Sequence, residues 1–377
     1  MTITTRFDYE NALQALGICV SARIPALLWG NPGEGKTAAV EAVTDQGWHV
    51  ETVIITHSEP SDFAGLPVVT PDGSVNLAPP GWAKRLAEHD GPSIAFFDEF
   101  STASPALQAA ALRPLTHYQV GNLVLPDSVS FVAAANPADV AAAGWELAAP
   151  TASRFVHLDW ALPHEVYAES LVTGQWPTMP VHQEPADYQR HLDRERVFVS
   201  GFLRIRPSLL SAIPGDTTDR GRAFPTPRTW DYAARLAAFA RAVGAGDDVR
   251  RLLVEGCLGS AAAFEYLRWA SVRDLPDPDD LLSNPMLAAF HGVRPDRVYV
   301  VLQSVLAAVV REPTPERWTA ALDVCGIAAK ATSIDPAVPV VRALMRPEIR
   351  PVGCPVPSSI KVFAPALALA GLLPGAA

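Results

Sequence analysis

Residues 30–37 read GNPGEGKT, a complete match to the spacing G-x-x-x-x-G-K-[ST]. That spacing serves phosphate. Gly30, Gly33 and Gly35 let the backbone turn tightly enough for N–H groups to converge on phosphate oxygens, with Asn31, Pro32 and Glu34 filling the loop. A helix beginning near Lys36 adds the partial positive charge of its N-terminus. Lys36 is then placed to reach β- and γ-phosphates, and the Thr37 hydroxyl to ligate Mg²⁺. A second cluster is IAFFDEF, residues 94–100, where an apolar run ends in two carboxylates. Asp98 is placed to hold Mg²⁺, directly or through water, and Glu99 to polarise a water for attack on the γ-phosphate. Phosphoryl transfer asks mainly for positioning and charge stabilisation, so one metal-side carboxylate and one water-orienting group suffice. An acid pair at a strand end is a weak signal alone; behind a phosphate loop it predicts a site for ATP and Mg²⁺.

These groups need elements to hold them. IPALLWG, ending at Gly30, predicts a short buried strand, and KTAAVEAVTD, residues 36–45, a helix. Residues 50–56, 93–98, 118–126 and 128–135 read as further strands. A helix is expected over 9–22, and Ser104-Pro105 opens another, with Ser as N-cap and Pro at the first helical position. This alternation, through about residue 160, predicts an α/β fold: a parallel sheet with helices on both faces. Beyond it, residues 194–210, 228–243, 249–272, 296–311 and 315–330 are rich in Ala, Leu and Arg and read as helices. DLPDPDD, residues 274–280, interrupts them as a linker.

The ordered set of motifs resembles the AAA+ superfamily of P-loop ATPases, and within it the MoxR-type branch. VSFVAAANP places Asn136 at a strand end, like that family's sensor-1 residue, which bonds the attacking water or the γ-phosphate. YQVGNLVLPDSVSF resembles the β-hairpin before sensor 1. TASRFVHLDW places Arg154 like an arginine finger, which reaches a neighbouring subunit's ATP, and RAFPTPRTW places Arg228 at the start of a lid helix like the sensor-2 arginine. Residues 58–86 are similar to the hairpin that relatives insert into their second helix, with DGS supplying a turn. Thr56 or His57 stands where relatives carry a polar residue coupling a bound partner to the water-activating glutamate. The resemblance covers residues 1 to about 245 and implies a nucleotide-binding core over 1–160, a helical lid over 161–275 and a helical C-terminal region over 276–377. It also implies a homo-oligomeric ring, most often a hexamer, with ATP between subunits. The implied function is remodelling or chaperone-like maturation of a protein partner, which in that branch often bears a von Willebrand factor A domain. Two other classes compete: a non-hydrolysing ATP-binding assembly switch, and a DNA-directed motor.

Bulk properties weigh on these. The 377 residues carry a net charge of -10, which argues against a nucleic-acid partner, because phosphate contacts need Lys and Arg. The arginines at 190, 194, 196, 204, 206, 220 and 222 form a locally basic stretch, read as a solvated helix face or a subunit interface. Cys19, Cys257, Cys325 and Cys354 are scattered, which suggests neither zinc nor a disulfide framework and fits a reducing cytoplasm. MTITTRFDYE has no apolar signal region, and the apolar run Val362–Leu373 is short and broken by Pro365, so no membrane span is expected. His164-Glu165 begins like a zinc-protease motif, but Ala168 stands where the second histidine belongs.

Overall fold

The computed structural model describes residues 3–137, 140, 144–271 and 275–372. Asp274 of the expected linker and Leu373 of the expected terminal helix lie outside the described residues. The chain divides into two compact units: residues 1–191 with 208–265, and residues 192–207 with 266–377.

The first unit opens with α1 (Arg6–Ser21), where Thr5 and Asp8 form a reciprocal capping box. β1 (Ala26–Trp29) runs into the glycine-rich loop and α2 (Lys36–Glu41). The expected helix over 36–45 changes character midway: a 3-10 turn over Ala42–Gln46 closes it before Gly47. β2 (His49–Ile54) is followed by α3 (Ser61–Ala64), the hairpin β3 (Leu66–Val69) and β4 (Val75–Ala78), and α4 (Gly81–Glu88). β5 (Ser93–Asp98) leads to α5 (Pro105–His117), whose first turn is capped by the Ser104 hydroxyl. The strand expected over 118–126 is instead a small hairpin, β6 (Gln119–Val120) and β7 (Leu123–Val124), because Gly121-Asn122 turns the chain back on itself. β8 (Val129–Ala135), α6 (Ala149–Ala152), β9 (Val156–Asp159) and α7 (His164–Thr173) follow.

Five strands form one parallel sheet in the order β2-β5-β8-β1-β9. Its central strands are apolar almost throughout, as burial on both faces requires. Leu27, Ala95, Phe97, Phe131, Ala133 and Ala135 point into one core with Phe63, Trp82, Phe100, Leu107 and Phe155. The alternating residues Ala26, Leu28, Ile94, Phe96, Val132 and Ala134 are equally buried, on the side where α1 packs. Phe97 and Phe100, on either side of Asp98 and Glu99 in the chain, are buried and stacked 6.4 Å apart. Burying such rings stabilises the unit by about 2–3 kcal/mol each, so the two carboxylates stand on a stiff base.

After α8 (Tyr188–Ile205), whose C-terminal part belongs to the second unit, and the short α9 (Thr217–Arg220), the chain returns to the first unit with α10 (Pro227–Ala242) and α11 (Asp247–Leu258). The helix expected over 249–272 is two, α11 and α12 (Ser260–Ser271), with the break at Gly259. The remaining helices, α13 (Pro278–Ser283), α14 (Pro295–Arg311), α15 (Pro315–Ala331), α16 (Val338–Leu344) and α17 (Ala364–Leu369), enclose a separate apolar core around Trp318, whose indole N–H donates to the Leu344 carbonyl at 2.7 Å. Asp279 pins α14 to α15 by pairing with Arg311 at 3.1 Å and Arg317 at 2.6 Å. Among the described residues no helix is long and apolar enough to cross a membrane.

Candidate functional site

All five sheet strands are parallel, so their C-terminal ends share one edge, and the chemistry-bearing residues of β1, β8 and β5 meet there. Gly33 and Gly35 take φ +81° and +73°, the left-handed conformation that the loop needs and that side chains resist. Gly35 is also the N-cap of α2, so the first turn of that helix faces the loop. The loop is braced from within: the Glu34 carboxylate accepts from the Asn31 backbone N–H at 3.2 Å and from Asn31 Nδ2 at 3.0 Å. The Trp160 indole N–H donates to the Glu34 carbonyl at 3.1 Å.

Lys36 is only 8% exposed. Its ammonium donates to the carbonyls of Gly30 at 2.7 Å and Asn31 at 2.9 Å and to Asn136 Oδ1 at 3.0 Å. Burial lowers its pKa, and the carboxylates of Asp98 and Glu34 work against that shift. The Thr37 hydroxyl donates to Asp98 Oδ2 at 2.7 Å, which brings two hard oxygen donors together at the start of α2. Such a pair fits Mg²⁺, which prefers one or two protein oxygens alongside phosphates and water. Glu99 has φ 57° and ψ 35°, a left-handed conformation that costs a non-glycine residue about 1–2 kcal/mol. Strain of this kind collects at functional sites. Its carboxylate accepts from the Thr56 hydroxyl, which lies 3.0 Å from Thr102 Oγ1. Thr56, more than His57, is thus the polar neighbour of Glu99. The Asn136 backbone N–H is held by Ser101 Oγ at 3.1 Å, fixing that residue's place beside Lys36.

Arg154 and Arg228 are not part of this gathering. Arg154 precedes β9, whose first residue, Val156, pairs with Ala26 at the start of β1. Four residues of β1 separate that level from the loop, about 13 Å at roughly 3.3 Å per residue. Arg154 Nε donates to Thr116 Oγ1 at 2.6 Å, and Arg228 to Ser153 Oγ at 3.3 Å, so the two arginines neighbour each other. Burial, and then the Arg228 charge, lower the Arg154 pKa. Two arginines of the basic stretch lie over aromatic rings: Arg204 over Tyr299 at 4.5 Å and Arg222 over Trp29 at 4.5 Å.

Residues 58–86 hold the two-stranded hairpin expected there, with Leu66, Val69 and Val75 more than half exposed. Its root meets the second hairpin: the Asn122 backbone N–H donates to the Leu77 carbonyl at 3.0 Å, and the Asn122 amide to Asn76 Oδ1. Sequence reasoning missed Ser101, Thr102, Trp29, His157 and Trp160. The first two follow the Asp-Glu pair directly, a proximity that could have marked them; the others carry no local signal.

No family profile matches the chain, and no curated protein matches it. Among solved structures it is similar to a candidate ATPase from Cytophaga hutchinsonii, at 15% identity and a TM-score of 0.45, over 71% of this chain and 93% of the other. It is also similar to a full-length MCM homolog from Methanopyrus kandleri, at 19% identity and a TM-score of 0.35, over 70% of this chain and 55% of the other. Likenesses this distant leave the functional reading to the site itself.

Proposed function

We propose that the chain is a Mg²⁺-dependent ATP hydrolase of the AAA+ type whose active sites are completed between copies of the chain. The observation that carries this reading is the convergence of Lys36, Thr37, Asp98, Glu99 and Asn136 on one edge of the sheet. ATP phosphates enter the loop 30–37, and Lys36 exchanges the carbonyls of Gly30 and Asn31 for β- and γ-oxygens. Thr37 and Asp98 are the residues to hold Mg²⁺, which offsets the phosphate charge when bound. Glu99 takes a proton from the attacking water, and Asn136 orients it. Developing charge on the γ-phosphate calls for a further cation; Lys36 lies in the loop itself, and Arg222, over Trp29 and paired with Asp159, stands at the same edge. Arg154 and Arg228, side by side at the opposite edge, suit the task of completing another copy's site. In this reading residues 161–275 are the lid, and 276–377 a region of unassigned role.

The finer reading follows the resemblance to MoxR-type proteins: a ring, most often of six, that remodels or matures a protein partner, of which a von Willebrand factor A domain protein is one candidate. The exposed apolar hairpin at 66–78 supports a protein-contacting surface. The Thr56–Glu99 bond favours a second reading, an assembly switch in which Glu99 is withheld from water. The experiment is ATP turnover per chain with Mg²⁺ over a wide range of protein concentration, beside Arg154→Ala. A rate that climbs with concentration and is lost in Arg154→Ala supports shared sites. A constant rate unchanged by Arg154→Ala rejects them. Turnover absent in the native chain and restored by Thr56→Ala supports the switch.

A further inference from the structure

A buried histidine connects the two edges of the sheet. His157 sits on the edge strand β9, paired with Leu27 of β1, and is 8% exposed. Its ring lies nearly parallel to that of Trp29, 11° apart at 6.1 Å. The Trp29 indole can only donate, and it donates to Nδ1 at 2.9 Å. Nδ1 is therefore the acceptor, and Nε2 carries the proton and donates to the Ala152 carbonyl at 2.9 Å. Burial drives the ring to the neutral form this arrangement needs, with its pKa pushed down to about 4.

Both partners matter for where they lead. Trp29 is the last residue of β1, and Gly30 of the phosphate loop follows it. Its outer face carries the Arg222 guanidinium, which also pairs with Asp159 at 3.2 Å. At the other end, the Ala152 carbonyl also accepts from the Phe155 backbone N–H at 3.1 Å, closing the turn that contains Ser153 and Arg154. One imidazole thus holds the indole beside the phosphate loop and the oxygen that closes the arginine turn. An aliphatic residue would fill the same volume, but would leave the half-buried indole N–H of Trp29 without this acceptor.

We infer that His157 is a positioning residue that fixes the turn presenting Arg154 against the strand entering the phosphate loop. The inference rests on the reading that Arg154 serves another copy's site. An arginine held loosely loses most of its worth, since misplacement of about 1 Å at a reacting centre costs roughly a hundredfold. His157 is two residues from any hydrogen-bonding group of its own phosphate site, so its effect is expected in the neighbour's turnover and not in its own nucleotide affinity.

The test uses full-length donor chains carrying Glu99→Gln, which keep the phosphate loop, mixed in large excess with native chains. Turnover per native chain then reports the arginines that donors present. Adding His157→Leu to the donors is expected to cut that turnover about tenfold or more, while donor nucleotide affinity is unchanged. His157→Gln, which can accept from Trp29 through Oε1 and donate to Ala152 through Nε2, is expected to restore most of it. Donors with Arg154→Ala set the floor. If the His157→Leu donor matches its parent while the Arg154→Ala donor does not, this inference alone is overturned. If His157→Gln is as damaging as His157→Leu, the role is packing, and the inference is again overturned. If the Arg154→Ala donor matches its parent, the shared-site reading fails and takes this inference with it.

Discussion

At the phosphate edge of the sheet, each polar group has a partner in its own chain. Lys36 is held by two carbonyls and Asn136, Thr37 by Asp98, Glu99 by Thr56 and Glu34 by Asn31. At the opposite edge, two guanidinium groups stand together, and among the described residues neither is in an ion pair. In the proposed reading the first arrangement is a receptor at rest, its donors and acceptors satisfied until phosphate displaces them. The second is unresolved charge: two cations side by side raise each other's free energy, and a passing anion relieves both. In that reading one sheet carries a binding surface that is complete without a partner and a charged surface that gains from one.

Substitutions at the two edges should therefore fail differently. The largest effect belongs to the arginine edge: Arg154→Ala is expected to lower turnover by about a thousandfold, the lower range for an arginine finger, with nucleotide affinity held. Stopped-flow turnover beside equilibrium binding checks this, and a loss of affinity equal to the loss of rate would erase the contrast. Lys36→Ala should do the reverse, weakening ATP binding by about a hundredfold, as loss of a charged hydrogen-bonding group does. Calorimetric titration measures it, and native affinity would move the phosphate site elsewhere.

His157 belongs to both edges and gives a pH-dependent effect. Its folded pKa, about 4, lies below the ordinary imidazole value of 6.5, so the unfolded chain binds its proton first as pH falls. The stability of the neutral ring is complete above about pH 6.5 and is lost as pH falls towards 4, by about 3 kcal/mol in all. Urea denaturation from pH 7 to 4 should show this fall, and His157→Leu should flatten that part of it. Smallest is Thr226→Ala. Thr226 caps α10 at 3.2 Å from the Thr229 N–H, two residues before Arg228. Its loss should cost about 1 kcal/mol and fray the turn that carries Arg228. Thermal melts would register it, and a larger fall in turnover than in Arg228→Ala would contradict a local effect.

How far the molecule could be read from its sequence depended on distance along the chain. The phosphate loop was legible because its chemistry is contiguous, eight residues with the glycines already spaced. Asp98 and Glu99 were legible because an apolar run ends on them. The helix start at Ser104 is legible from a cap that acts over three residues. The Trp29–His157 contact spans 128 positions, and only the pairing of β1 with β9 makes it. The position of Arg228 also needed the fold: the sequence placed it at a helix start, whereas the edge it occupies follows from the path of residues 208–226. By its residues alone 118–126 reads as one strand, because its flanks are apolar and its turn is only Gly-Asn; the hairpin there follows from the resemblance and not from the local pattern.

The joint between the two hairpins bears on how this molecule can change over generations or on the bench. A Cβ added at Gly65 would lie 2.7 Å from the Gly121 Cα, and one added at Gly121 would lie 2.4 Å from the Leu77 carbonyl. Neither position accepts alanine without a neighbouring backbone giving way, so the root tolerates little change. The far end is free of that bond: Thr70 and Ser74 close the tip with their own hydrogen bonds, away from the root. A cross-linker or tag grafted at the tip therefore leaves the root undisturbed.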